Sequence, residues 1–95
     1  MEVFQPLANF YEVAIEDGRV GPTHISLYMT LLIKWNISGR ENPIVITRDR
    51  LMEAAKINAR HTYNRCLREL HCYGYITYTF SSHPSRASTV YINPL

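Results

Sequence analysis

Residues 56–76, KINARHTYNRCLRELHCYGYI, hold the side chains best suited to chemistry with another molecule. Arginine can donate two hydrogen bonds to guanine O6 and N7, and asparagine can bond adenine N6 and N7 in both directions. At about 100° per residue, with Arg60 at zero, Asn64 falls near 40°, Arg68 near 80°, His61 near 100° and Arg65 near 140°. Cys66, Leu70, Tyr63 and Leu67 fall on the far side, between about 240° and 340°. The pattern predicts a helix from Arg60 to Tyr73 with one face for packing and one basic face.

In a helix-turn-helix the N-terminal half of the second helix faces the bases, and Arg60, His61, Asn64 and Arg65 occupy that half. Thr62, at the boundary, and Arg68, one turn further along, are placed to bond phosphates. Arg48 and Arg50 open the preceding helix, where backbone N–H groups also favour phosphate. Arg86, with Ser82 and Ser85, falls at a hairpin tip that could reach a minor groove or a flanking phosphate. The bland alternative is a solvated face on which Arg65 and Glu69 form an i,i+4 pair worth a few tenths of a kcal/mol, about 0.3–0.5. The turn before this helix and the hairpin after it favour DNA.

Other chemistries fit less well. His61, Cys66, His71 and Cys72 scatter around the helix without a CxxC or a second ligand pair, so no metal site is expected. No nucleophile motif or glycine-rich phosphate loop is present, and neither catalysis nor a cofactor is expected. Tyr73, Tyr75, Tyr78 and Tyr91 could stack single-stranded bases, but packing of the sheet against the helices is the favoured reading. Trp35 reads as core or subunit interface. Cys66 and Cys72, on one helix, lie about 9 Å apart along the axis and point in different directions, which excludes a disulfide between them.

The 95 residues suffice for one domain, 1–95, and nearly half of them are apolar. The net charge of +2 is uneven. Residues 1–46 carry three basic and five acidic side chains, and residues 47–95 carry seven basic and three acidic. That asymmetry points to a polyanionic partner for the C-terminal half. The run Ile25–Ile37 is too short and too interrupted to span a bilayer. With no secretory signal and only two cysteines, a cytoplasmic location is expected.

The elements that must position the basic face follow from periodicity. Pro6 begins a helix with Leu7, Phe10, Tyr11 and Ala14 at helical spacing, and Gly18 is its stop. Thr23 is the expected N-cap of a second helix. Its Ile25, Tyr28, Met29, Leu32 and Trp35 form one apolar face, and Leu27, Leu31 and Ile33 cover much of the rest. That helix is therefore either central to the domain or a subunit interface. Ile44–Ile46 reads as a short strand. Thr47 caps a helix whose apolar face is Leu51, Met52, Ala54 and Ala55, and residues 57–60 form the turn. Gly74 ends the basic helix. In YITYTF, Ile76, Tyr78 and Phe80 face one way and Tyr75, Thr77 and Thr79 the other. A polar loop then leads to TVYI, completing a hairpin.

Taken together, the chain resembles the winged helix-turn-helix family, an α+β fold. TRDRLMEAAKINARHTYNRCLRELHCYGYI resembles a scaffold helix and recognition helix leading into the first wing strand. "LREL…GYI" is similar to an ending seen across winged-helix regulators. With PTHISLYMTLLIKWN, it also resembles small winged-helix proteins of Bacteroidetes genomes and mobile elements. The resemblance implies double-stranded DNA as partner, with residues 60–73 in the major groove and residues 82–88 as the wing. A transcriptional regulator or a mobile-element accessory factor would work in this way. Dimerisation through the first two helices is a further expectation. The alternative is a protein-interaction adaptor on the same fold, since fold alone does not assign function.

Overall fold

The computed structural model describes residues 4–80 and 87–95. Its elements are α1 (Phe4–Ile15), α2 (Pro22–Ile37), β1 (Ile44–Ile46), α3 (Arg48–Ala55), α4 (Arg60–Cys72), β2 (Ile76–Thr79) and β3 (Ser88–Ile92). The fold is α+β, with four helices and one antiparallel three-stranded sheet among the described residues. No described helix is long and apolar enough to cross a membrane.

The sheet order is β1-β3-β2, which makes the last strand central. Ile44 pairs with Val90, and Ile76 pairs with Ile92. The Asn42 side chain continues the β1 edge by accepting from the Ile92 N–H at 2.9 Å and donating to its carbonyl at 3.2 Å. An amide with one donor and one acceptor thus stands in for a strand residue. The sequence predicted the β2–β3 hairpin, but nothing local reveals that β1 joins it across more than forty residues.

Helix α2 is the centre of the domain, in contact with α1, α3, α4 and β3. Leu27, Tyr28, Leu31 and Leu32 are fully enclosed, and they meet Leu67 and Leu70 of α4, Leu51 and Ala55 of α3, and Val90 of β3 in one core. Ser26 Oγ donates to the Ala55 carbonyl at 2.5 Å, closing the end of α3 onto α2. Phe10 of α1 stacks on Tyr28 with ring centres 4.0 Å apart, and Tyr75 meets Phe10 edge-on at 5.5 Å.

Several boundaries differ from the sequence reading. Helix α1 starts at Phe4 rather than Pro6, and it ends at Ile15, ahead of Gly18. Pro6 is tolerated because a first-turn N–H has no intrahelical acceptor to lose. Gly21, not Thr23, caps α2: its N–H donates to His24 Nδ1 at 2.9 Å and its carbonyl accepts from Ile25. Thr47 does precede α3, but its side chain makes no capping hydrogen bond. Helix α4 ends one residue earlier than expected, with Tyr73 as the cap and Gly74 at φ +90° turning the chain.

The strict alternation expected for residues 75–80 fails at both ends. Tyr75 is 1% exposed although Thr77 and Thr79, assigned to the same face, are exposed, and Phe80 is 69% exposed although Ile76, assigned to its face, is buried. Both lie outside β2, so the period-two rule does not govern them. Ala54 also leaves the expected apolar face of α3 and is exposed, while Ile57 in the turn is buried.

Candidate nucleic-acid interface

The turn between α3 and α4 is built by Lys56, which adopts the left-handed conformation at φ 61°. The Ile57 N–H returns to the Met52 carbonyl at 2.9 Å. Ile57 is drawn into the core, and this fixes the angle at which α4 leaves the turn. Tyr63, Cys66, Leu67 and Leu70 are all buried, as the helical wheel requires. Arg60, His61, Asn64, Arg65 and Arg68 are all exposed, and Thr62 is half-buried at the boundary.

The outward arc is divided between two neighbourhoods. On one side, Glu69 accepts from His24 Nε2 at 2.9 Å, and Arg65 Nε stands 3.6 Å from the same Oε1. Glu69 is held below the ordinary carboxylate pKa first by its hydrogen bond from His24, with the charge of Arg65 adding to the effect. On the other side, Asn64 and Arg68 line a groove with Tyr78 and Phe80. Arg48 joins Tyr63, Asn64, Tyr78 and Phe80 in the adjoining groove. Arg60 and Arg68 have no ion-pair partner among the described residues, whereas Arg48 lies 3.3 Å from Asp49.

Arg48 is thus brought beside α4, and Arg50 is exposed on the same first turn of α3. Ser82, Ser85 and Arg86, expected at the hairpin tip, lie outside the described residues, which resume at Ala87. Of the four tyrosines weighed as stacking groups, Tyr75 is buried and Tyr73 half-buried, with Arg19 lying 4.2 Å from the Tyr73 ring centre. Tyr78 is half-buried and lines the grooves, and Tyr91 is exposed. Phe80 was missed because the alternation placed it on the same face as Ile76, which is buried.

A second cluster was also missed. A His24 ring nitrogen, Cys66 Sγ and a Glu69 oxygen lie within 4.8 Å of one another, a spacing that a metal ion can bridge. The hydrogen bonds argue for a different use. The Gly21 N–H donates to His24 Nδ1, so Nε2 carries the hydrogen that it donates to Glu69. A metal would require Nε2 to give up that hydrogen while Nδ1 is already an acceptor. No local sequence signal connects these residues, because His24 and Glu69 are 45 positions apart.

A third group fixes the chain before α2. Asp17 accepts two hydrogen bonds from the Arg19 guanidinium at 2.8 Å and one from the Tyr75 hydroxyl at 2.9 Å. Its carboxyl is held well below the usual range, chiefly by the Arg19 hydrogen bond. The Tyr75 hydroxyl is pushed up to about 12 by burial and by its bond to Asp17. Arg19 is therefore committed to structure. Comparison of the chain with protein-family models, curated proteins and solved structures finds no match.

Proposed function

We propose that this chain is a winged-helix domain that binds double-stranded DNA sequence-specifically, as a transcription regulator or a mobile-element accessory factor. The observation that carries this reading is the outward face of α4: three arginines, an asparagine and a histidine, on a helix whose other face is locked into the core. Helix α4 enters the major groove with Arg60, His61, Asn64 and Arg65 toward base edges. Thr62, Arg68, Arg48 and Arg50 meet phosphates. Residues 82–88, with Ser85 and Arg86, contact the flanking backbone or minor groove. The element order α2-β1-α3-α4-β2-β3 supports the winged-helix assignment.

Fluorescence anisotropy with random duplex DNA over a salt series tests the proposal. Log affinity should fall linearly with log salt concentration. Joint replacement of Arg60, Arg65 and Arg68 by alanine should abolish most of the binding. Unchanged binding in that variant would overturn the role of α4.

One observation favours a second reading, that of a protein-interaction adaptor. Leu7, Tyr11 and Ile15 of α1 and Ile25 and Met29 of α2 line an apolar groove of about 540 Å³. Tyr11 and Ile15 are each more than 60% exposed. In the DNA-binding reading this groove serves a homodimer through α1 and α2. In the adaptor reading it receives another protein, and removal of the α4 arginines has no consequence.

A further inference from the structure

We infer that the cleft between α4 and the end of β2 is a binding site for a nucleobase that has left the duplex stack, so that the protein favours DNA with an unpaired base. This rests on the DNA-binding reading of α4 and adds to it a second kind of contact, made by aromatic rings rather than by base-edge hydrogen bonds.

The observation is the surroundings of Phe80. The residue is 69% exposed, which leaves a large apolar side chain in water beyond the last residue of β2. Around it are Tyr78, Asn64 and Arg68, lining a groove of about 440 Å³. The adjoining groove shares Asn64, Tyr78 and Phe80 and adds Arg48. The two grooves thus have Asn64, Tyr78 and Phe80 in common, with Arg68 lining one and Arg48 the other.

That composition matches one ligand chemistry closely. A nucleobase has a flat apolar face, a polar edge and an anionic backbone on either side. Stacking on an aromatic ring serves the face and tolerates any base, since every base has a π surface. The Asn64 amide offers both a donor and an acceptor to the edge. Arg48 and Arg68 complement the flanking phosphates, and Arg68 has no competing carboxylate among the described residues. An apolar peptide would satisfy Phe80 but would leave Arg68 and Asn64 to be desolvated without partners.

The backbone explains why the ring is available. The Tyr78 N–H donates to His71 Nδ1 at 3.0 Å, which anchors this part of β2 to the last turn of α4. The strand ends at Thr79, so Phe80 is carried past the sheet and beside Asn64 and Arg68. A paired base within a regular duplex cannot present its face to Phe80, because both its faces are covered by neighbours. An extruded or unpaired base can do so, at a lower unstacking cost than a paired one.

Anisotropy with three labelled DNAs tests the inference: a paired duplex, the same duplex with one bulged 2-aminopurine, and the single strand. Wild-type protein should bind the bulged duplex about tenfold more tightly than the paired one, the scale of one base–aromatic stacking contact. The 2-aminopurine fluorescence should be quenched on binding. Phe80→Ala should remove the preference and the quenching while leaving paired-duplex affinity within about twofold, since an exposed ring contributes little to folding. Phe80→Trp should restore both. Equal binding of bulged and paired duplex by the wild type overturns the base site and leaves the duplex reading standing. Binding of the bulged DNA alone, lost in Phe80→Ala, supports the base site and overturns the duplex reading. A preference that survives Phe80→Ala assigns the effect to DNA flexibility and overturns the base site.

Discussion

His24 Nε2 of α2 lies 2.9 Å from Oε1 of Glu69 on α4, a direct polar link between the central helix and the helix proposed to read DNA. The His24 ring is itself oriented by the Gly21 N–H. The link thus runs from the start of α2 to Glu69, and from there to Arg65 at 3.6 Å. Replacement of Glu69 by glutamine keeps an acceptor for His24 but removes the charge beside Arg65. Glu69→Gln is expected to strengthen binding of random duplex, by loss of a competing carboxylate, with a larger gain at low salt. Anisotropy at two salt concentrations checks this. Weaker binding would show that Glu69 positions Arg65 rather than competing for it.

Acid should destabilise the protein through the same kind of group. Asp17 and Glu69 both have pKa values below their ordinary 3.8 and 4.5. For a depressed carboxylate, the stabilisation is fully present above the unfolded value and is lost as pH falls through the folded one. Wild-type stability should therefore hold from neutral pH down to about 5 and decline increasingly below about 4, close to the unfolded carboxylate values. Thermal melts of Asp17→Asn should start from a lower Tm at pH 7 and show a shallower acid limb. An acid limb unchanged in that variant would remove Asp17 from the account.

Gly74 and Gly18 should respond differently to alanine. Gly74 has φ +90°, where a Cβ is strained even in open space, and Gly18 shows no such angle and no atom near its Cβ position. Gly74→Ala should cost about 1–2 kcal/mol. Gly18→Ala should be neutral or slightly stabilising, by up to about 1 kcal/mol, through the unfolded chain. Urea denaturation of both variants gives the comparison.

Leu70 is fully enclosed where α4 meets α2, and Leu70→Ala should cost about 2–5 kcal/mol. Because it is buried on the face opposite the arginines, DNA affinity should fall only as far as folded protein is lost. Chemical denaturation and anisotropy, measured on the same preparation, separate these effects.

A homodimer through α1 and α2 would bury exposed Tyr11, Ile15 and Ile25. Replacement of Tyr11 and Ile25 by glutamate should then convert a dimer to a monomer in sedimentation. It should also remove preference for a two-fold operator with half-sites about one helical turn, roughly 34–36 Å, apart. A wild-type monomer at high concentration would exclude this arrangement.

Much of the scaffold was legible from periodicity alone. The separation of Tyr63, Cys66, Leu67 and Leu70 from Arg60, His61, Asn64, Arg65 and Arg68 is fixed by helical geometry, and the buried and exposed sets follow it. The order of helices and strands was equally readable, because α3, its turn and α4 each carry local signals. The helix starts were less so. Gly21 caps α2 through a histidine ring three residues on, which no list of capping residues anticipates.

What only the tertiary structure decided is how residues far apart in sequence divide the basic face. His24 meets Glu69, Asp17 meets Tyr75, and Arg48 lines one groove with Asn64 and Phe80, placements that no local period encodes. Alternation grouped Phe80 with Ile76 and Tyr75 with Thr77, but both Phe80 and Tyr75 lie beyond the ends of a four-residue strand. There the path of the backbone, set by Gly74 and by β2 pairing with β3, determines burial. Sequence therefore determined which side chains α4 shows, and folding determined the neighbours with which each of them acts.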